Sequence, residues 1–349
     1  MVTKFSKVSL FSGLNQLNDL TLDARFATVC GYTQADLETT FGGHLAGVDW
    51  AKLKRWYNGY NFLGEPVYNP FDILLFVDKG QVYRNYWFET GSPSFLIKRL
   101  QCRGTFLPEL EDLEASEEIL DSFDLERIDP VTLLFQAGYL TIDHARQIFD
   151  QWLFSLRVPN QEVRQALANQ LVDAYTSRLP SERLRWQKTL YDSLAQGDVA
   201  GLLAAISRLF AGIPWRNFTA NDLPLTEGYY ASVLYAFFAS LNAEIIPEDI
   251  SNQGQVDLTI KLVDYIYVIE IKLHRGQAGA APSGIAPRPG DATVPVLTQA
   301  GDNPALAQIQ ARGYSAKYRG LSNKGLFEVG LVFDPQVRNL TQADWVAVV

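Results

Sequence analysis

Asp257 and the run Glu270-Ile271-Lys272 are the residues whose types and spacing suit chemistry in this 349-residue chain. They sit in two β-rich runs, 256–262 and 265–273, with almost nothing between them, which predicts a hairpin turning at Val263-Asp264. The pairing that this turn implies sets Asp257 directly opposite Glu270, with Cβ atoms about 4.5–5.5 Å apart. Lys272 lies two residues beyond Glu270 and shares its face, while Ile269, Ile271 and Leu273 point the other way. Opposed like charges destabilise a sheet unless something neutralises them. A divalent cation with oxygen ligands would do so, and Mg2+ favours one or two carboxylates plus waters and a substrate phosphate. Lys272 would then hold or activate an attacking water. The competing reading is a Glu270–Lys272 surface pair on an edge strand. Against it, residues 265–273 are apolar on both faces, as in a covered central strand, where unpaired charge is expensive.

Several elements must bring these groups together. Residues 226–242 read as a helix capped by Thr226, with Tyr230, Val233, Leu234, Phe237, Phe238 and Leu241 on a broad apolar face. Glu227 opens that helix and either adds a third carboxylate or simply suits a first helical turn. Residues 274–304 are rich in Gly, Ala and Pro and read as a long loop. A helix is expected from Pro304 to Arg319, ended by Gly320, with Gln308, Arg312, Ser315 and Arg319 on one face. Leu306, Ile309, Gly313 and Ala316 fall on the other, Gly313 allowing close packing. No acidic residue occurs from 303 to 327, whereas Arg312, Lys317, Arg319 and Lys324 are basic. Such a stretch suits a phosphate backbone or is an ordinary exposed face. A strand follows at 327–333.

Upstream, residues 1–100 are dense in aromatics and turn residues, with a helix start at Thr33 paired with Asp36 and another at Ser92-Pro93. The acidic run 108–127 reads as a solvated face. Residues 133–142 read as a short helix turning into a strand. Residues 160–212 look helical throughout, opened by Asn160 and broken by Gly212-Ile213-Pro214.

Composition narrows the classes. The hydrophobic share is 47% and the charged share 20%, which excludes wholesale disorder. The formal charge of −9 argues against coating nucleic acid, though not against a local basic groove. No stretch of 18 apolar residues is present, so no membrane span is expected. Cys30 and Cys102 make neither a disulfide framework nor a zinc site, and a reducing cytoplasm is the simplest placement. His44, His144 and His274 are scattered, and neither a Gly-x-Ser-x-Gly elbow nor a His-Glu-x-x-His helix occurs.

Glu227-Gly228-Tyr229-Tyr230, Gly254-Gln255-Val256-Asp257-Leu258, Val268-Ile269-Glu270-Ile271-Lys272 and Ala305-Leu306-Ala307-Gln308-Ile309 with Tyr314 and Tyr318 resemble the PD-(D/E)XK nuclease superfamily. The branch most resembled is joined to an AAA-ATPase-like domain in many bacterial proteins. The stretch from Lys4 to Asn15, with Trp56–Tyr60, Tyr68–Phe71 and Tyr86–Gly91, resembles the last third of that ATPase-like domain; Leu134–Thr141 and Pro159–Arg164 resemble the connecting region. The resemblance implies an α/β (α+β) protein in three parts. Residues 1–110 would be the mostly helical ATPase-like remnant, 111–212 a helical connector, and 213–349 a restriction-endonuclease-like mixed sheet flanked by helices. It implies a Mg2+- or Mn2+-dependent nuclease acting on DNA, with Asp257 and Glu270 binding metal, Lys272 activating water, and Glu227 and Gln308 assisting. The phosphate-binding Gly-x-x-x-x-Gly-Lys-Ser/Thr motif of the ATPase-like domain does not occur in these residues, so no ATP is expected. Where members often have Arg before the Asp, Gln255 stands here. Two other readings are a nuclease-like module that binds nucleic acid or protein without cutting, and a regulatory remnant in which residues 1–110 bind a protein partner.

Overall fold

The computed structural model describes residues 19–87, 113–121, 129–177, 179–213, 226–274 and 303–348. The block from Lys4 to Asn15, the helix expected at Ser92-Pro93, Cys102, much of the acidic run and nearly all of the loop 274–304 lie outside the described residues. The chain divides into two compact units, the division falling between Leu167 and Ala168 inside one helix.

The first unit is built from short elements whose starts are written locally. Helix α1 (Gln34–Thr40) opens on the expected capping box, Asp36 N–H donating to Thr33 Oγ1 (3.1 Å) and Thr33 N–H to the Asp36 carboxylate (2.9 Å). Helix α2 (Trp50–Tyr57) runs into β1 (Asn58–Tyr60), which pairs with β2 (Val67–Tyr68). Asn69 caps α3 (Pro70–Asp78), with Pro at the first helical position, where its missing N–H costs nothing. Leu37, Leu45, Leu53, Tyr57, Tyr68, Ile73, Phe76 and Tyr86 make the core of this region. Strand β3 (Leu113–Ser116) and helices α4 (Glu117–Asp121) and α5 (Pro130–Gln136) follow, then the hairpin β4 (Thr141–Ile148) and β5 (Gln151–Arg157). These strands form an antiparallel sheet ordered β3-β5-β4. The connector read as helical thus also carries a sheet, because burial of alternate apolar residues such as Phe154 and Leu156 outweighed the weak local signal.

Helix α6 (Gln161–Thr176) starts at Asn160, whose side chain accepts from Val163 N–H (3.0 Å). Two more helices, α7 (Pro180–Gln196) and α8 (Val199–Ala211), complete the helical stretch read from the sequence. Gly197 separates them in a left-handed conformation (φ 72°), and Gly212 follows α8.

Helix α9 (Glu227–Ser240) is capped by Thr226 and buried along Tyr229–Ser240. Strands β6 (Glu244–Ser251), β7 (Gly254–Leu262), β8 (Tyr265–Leu273), β9 (Gly325–Asp334) and β10 (Asn339–Val348) form a five-stranded sheet ordered β10-β9-β8-β7-β6. Only the β8–β9 pair is parallel, and helix α10 (Pro304–Arg312) lies in its crossover. This is the mixed α/β architecture expected, consistent with a restriction-endonuclease-like fold. The sequence pattern predicts neither β6 nor β10.

One expectation fails in the crossover. The single helix 304–319 stops at Arg312, because Gly313 takes a left-handed φ of 59° and caps it; a short 3-10 turn, Tyr314–Tyr318, follows. Gly313 therefore ends a helix instead of packing one closely, and nothing lies within 4 Å of where its Cβ would be.

Gly197 offers a test of this packing. A Cβ there would stand 2.7 Å from the Tyr265 ring, at a backbone angle that side chains disfavour. Gly197→Ala is expected to lower the urea midpoint, a loss of more than about 1 kcal/mol. An unchanged midpoint would count against this packing.

Candidate active site

The residues that could do chemistry meet at the carboxyl end of β8. The β7–β8 ladder has the register read from the sequence, Leu258 opposite Ile269 through Leu262 opposite Tyr265. Past Leu258 the Asp257 carboxylate itself accepts the Ile271 N–H (2.6 Å), so the acid is tied to the backbone of β8. Residues 266–271 are buried and β8 is the central strand, which removes the edge-strand reading of Glu270 and Lys272.

Glu270 is 2% exposed. Its Oε1 accepts from Lys272 Nζ (2.7 Å) and from Gln308 Nε2 (2.6 Å). Its Oε2 is buried with no hydrogen-bond partner. Glu227 accepts the Leu273 N–H (3.2 Å), fastening the start of α9 to the end of β8. Gln308 also lies 3.5 Å from the Tyr314 hydroxyl. The five residues Glu227, Asp257, Glu270, Lys272 and Gln308 are thus brought together.

The placement of Gln308 depends on a close approach missed in the sequence. Gly330 on β9 pairs with Glu270, and a Cβ on it would fall 2.4 Å from the Leu306 nitrogen. Asn303 locks the approach, its Nδ2 donating to Gly330 O and Asp344 Oδ2 (both 3.1 Å), its Oδ1 accepting from Ala305 and Leu306 N–H. The signal that would have found it is Asn303-Pro304, the same cap-then-Pro pattern as Asn69-Pro70 and Asp129-Pro130.

The basic residues are more dispersed. Lys317 ion-pairs with Asp249, whose other oxygen accepts from Thr259 (2.7 Å) and Tyr318 (2.6 Å). Lys324 pairs with Asp264 (3.1 Å) in the β7–β8 turn, six residues before Glu270, about 20 Å at 3.3 Å per residue. Arg312 reaches Gln253 O (3.4 Å) and Arg319 is exposed. Two of the four cations, Lys317 and Lys324, are thus already paired with acids of this unit.

Electrostatics mark the cluster. Burial, then the charge of Glu270, pushes Asp257 up to about 7, with the Ile271 N–H and Lys272 pulling it back. Burial likewise raises Glu270 against the pull of Lys272. Burial alone would lower Lys272, but Glu270, Glu227 and Asp257 outweigh it and hold the ammonium above its ordinary value.

Residues 225–343 match a family described as PD-(D/E)XK nuclease superfamily. This domain contains all five clustered residues. The chain is also 41% identical over 318 residues to an Azotobacter chroococcum mcd 1 protein described as "Uncharacterized protein in vnfD 5'region". That match covers 91% of this chain but 57% of the relative, so the chain spans little more than half the relative's length. No solved structure matches the chain. Among the described residues no helix is long and apolar enough to cross a membrane.

The donor set fits a hard divalent cation of the kind this superfamily typically uses. Asp257 and Glu270 offer carboxylate oxygens only, and Glu270 Oε2 is a buried acceptor left without a donor. Among the described residues no group of three or more His, Cys, Asp or Glu converges as a metal cage. Two carboxylates suit an ion that keeps waters and a substrate phosphate as its remaining ligands.

Two measurements follow. Asp257 titrates near 7, well above its ordinary 3.8, so without metal its contribution to stability falls as pH rises through that window. Mn2+ requires the ionised acid, so calorimetric affinity is expected to rise between pH 6 and pH 8, by up to about tenfold per unit below pH 7. A pH-independent affinity contradicts the shift. Gly330→Ala should force α10 off β9, lower the melting temperature and weaken Mn2+ binding; intact binding would show that the close approach does not set the site.

Proposed function

We propose that residues 225–343 form a Mg2+- or Mn2+-dependent nuclease that hydrolyses phosphodiester bonds, in DNA. One observation carries this reading: within the segment that matches the superfamily, Glu270 is held between Lys272 and Gln308, beside Asp257, with one buried oxygen left over.

Asp257 and Glu270 would hold the ion. When bound, it supplies Lewis-acid stabilisation of the charge that builds on the phosphate oxygens. Lys272 is 28% exposed at its side chain, so its ammonium can reach both solvent and the buried acid. Held charged by Glu270, it donates hydrogen bonds that orient the attacking water and steady the phosphate. Gln308 fixes which oxygen of Glu270 is occupied and which is free. Glu227 secures the end of β8, keeping Lys272 in register with Asp257.

A second reading has support in Gln255 and in the neutralised Lys317 and Lys324: a module that binds nucleic acid or a protein without cutting. The ATPase-like ancestry of residues 1–110, the helical connector 111–212 and a protein partner at residues 1–110 belong to the proposal too, as does a bacterial cytoplasmic setting.

Incubation with supercoiled plasmid and Mg2+ or Mn2+ decides between the two. The natural chain should nick the plasmid, and Lys272→Ala should slow it by about 100-fold or more. Equal cutting by both chains, or none by either, ends the nuclease reading.

A further inference from the structure

Two acids in the first unit stand apart from this site. Asp72 in the first turn of α3 and Glu162 in the first turn of α6 are both fully buried. Glu162 Oε1 accepts from the Tyr86 and Trp87 N–H groups, and its carbonyl accepts from Asn85 Nδ2 (3.1 Å). Both carboxyl oxygens of Asp72, and Oε2 of Glu162, are buried with no hydrogen-bond partner. Orphaned acceptors of this kind are costly in a dry interior.

The surroundings offset little of this cost. Around the pair stand the phenols of Tyr57 on α2 and Tyr60 on β1, with Tyr86 beside Tyr57, and the Asn69 cap of α3. All three phenols donate elsewhere: Tyr57 to Arg84 O (2.9 Å), Tyr60 to Gly138 O (3.2 Å) and Tyr86 to Val82 O (2.6 Å). Asn69 Oδ1 accepts from the Phe71 N–H, while the donor side of the Asn69 amide pulls Asp72 down, less than burial and Glu162 push it up. Among the described residues no Lys, Arg or His ion-pairs with either acid. Two adjacent buried carboxylates cannot both stay ionised there.

We propose that Asp72 and Glu162 share one proton and form a latch that closes α3 and residues 85–87 onto the first turn of α6. Glu162, already facing two N–H groups, carries the charge, and Asp72 carries the proton and donates it to Glu162. The pKa directions agree: burial, then Glu162, raises Asp72 against a smaller pull from Asn69, whereas burial raises Glu162 against two amides and Asp72 that hold it down. An acid raised on folding binds its proton more tightly closed than open, so the latch weakens as pH rises. It stands independently of any nuclease activity.

Hydrogen exchange of the full chain tests it, read as protection factors for the amides of residues 85–87 and 161–165 at pH 6, 7 and 8. One proton lost on opening predicts that protection falls about tenfold per pH unit. Asp72→Asn, whose amide donates without titrating, should give flat protection. Should that variant fail to fold, the infrared band of a protonated carboxyl in the natural chain at pH 7.5 is the second readout. Flat protection in the natural chain, a slope surviving in Asp72→Asn, or a missing band overturns the latch. So does recovery of protection at pH 8 on adding Mg2+ or Ca2+, which would put a metal ion where the proton is assigned.

Discussion

Burying the Glu270 carboxylate in the middle of a sheet is the constraint from which the rest of the site follows. A lone charge in that position is expensive, and a central strand offers no water to soften the cost. Lys272 on the same face supplies the opposite charge and Gln308 supplies a second donor, yet both converge on one oxygen. The other oxygen is buried and has no hydrogen-bond partner. A fold that keeps such an atom has either tolerated a defect or reserved it for a ligand, and Asp257 alongside favours a cationic ligand.

Each neighbouring element can be read as a means of holding that arrangement. Asp257 is tied to the backbone of β8, so the two acids move with one strand. Glu227 ties α9 to the same strand one residue past Lys272. Gly330 lets α10 approach directly beside Glu270, and Asn303 fastens it through the cap, the strand and Asp344 together. The site is therefore set by backbone hydrogen bonds and by one missing side chain more than by a loop, which suits groups that must stay in fixed mutual geometry.

Much of the fold and of the site was legible where the physical signal is local. The β7–β8 register followed from period-two alternation across a two-residue turn, and it placed Asp257, Glu270 and Lys272 without reference to anything distant. Caps at Thr33, Asn160 and Thr226 were visible because a short polar side chain satisfies its own helix. The crossover helix misled because its apolar spacing continues past Gly313, while a single left-handed glycine ends it. Strands β6 and β10 escaped because segments such as Ile245-Ile246-Pro247 carry mixed patterns, and pairing partners supply what propensity lacks. Lys317 and Lys324 looked available in a stretch free of acids, since Asp249 and Asp264 reach them from strands and turns far along the chain.

The amino-acid order alone determined the hairpin that carries the acidic pair, the helix starts, the absence of zinc and P-loop motifs, and the superfamily resemblance. Those depend on neighbours within a few residues, where geometry is nearly obligatory. Tertiary structure decided which oxygen of Glu270 is left free, that β8 is central and buried, which cations are already neutralised, and that Asp72 and Glu162 face each other among phenols. These depend on residues 30 to 90 positions apart meeting in a low-dielectric interior, where the cost of an unpaired group is set by what the whole fold brings beside it.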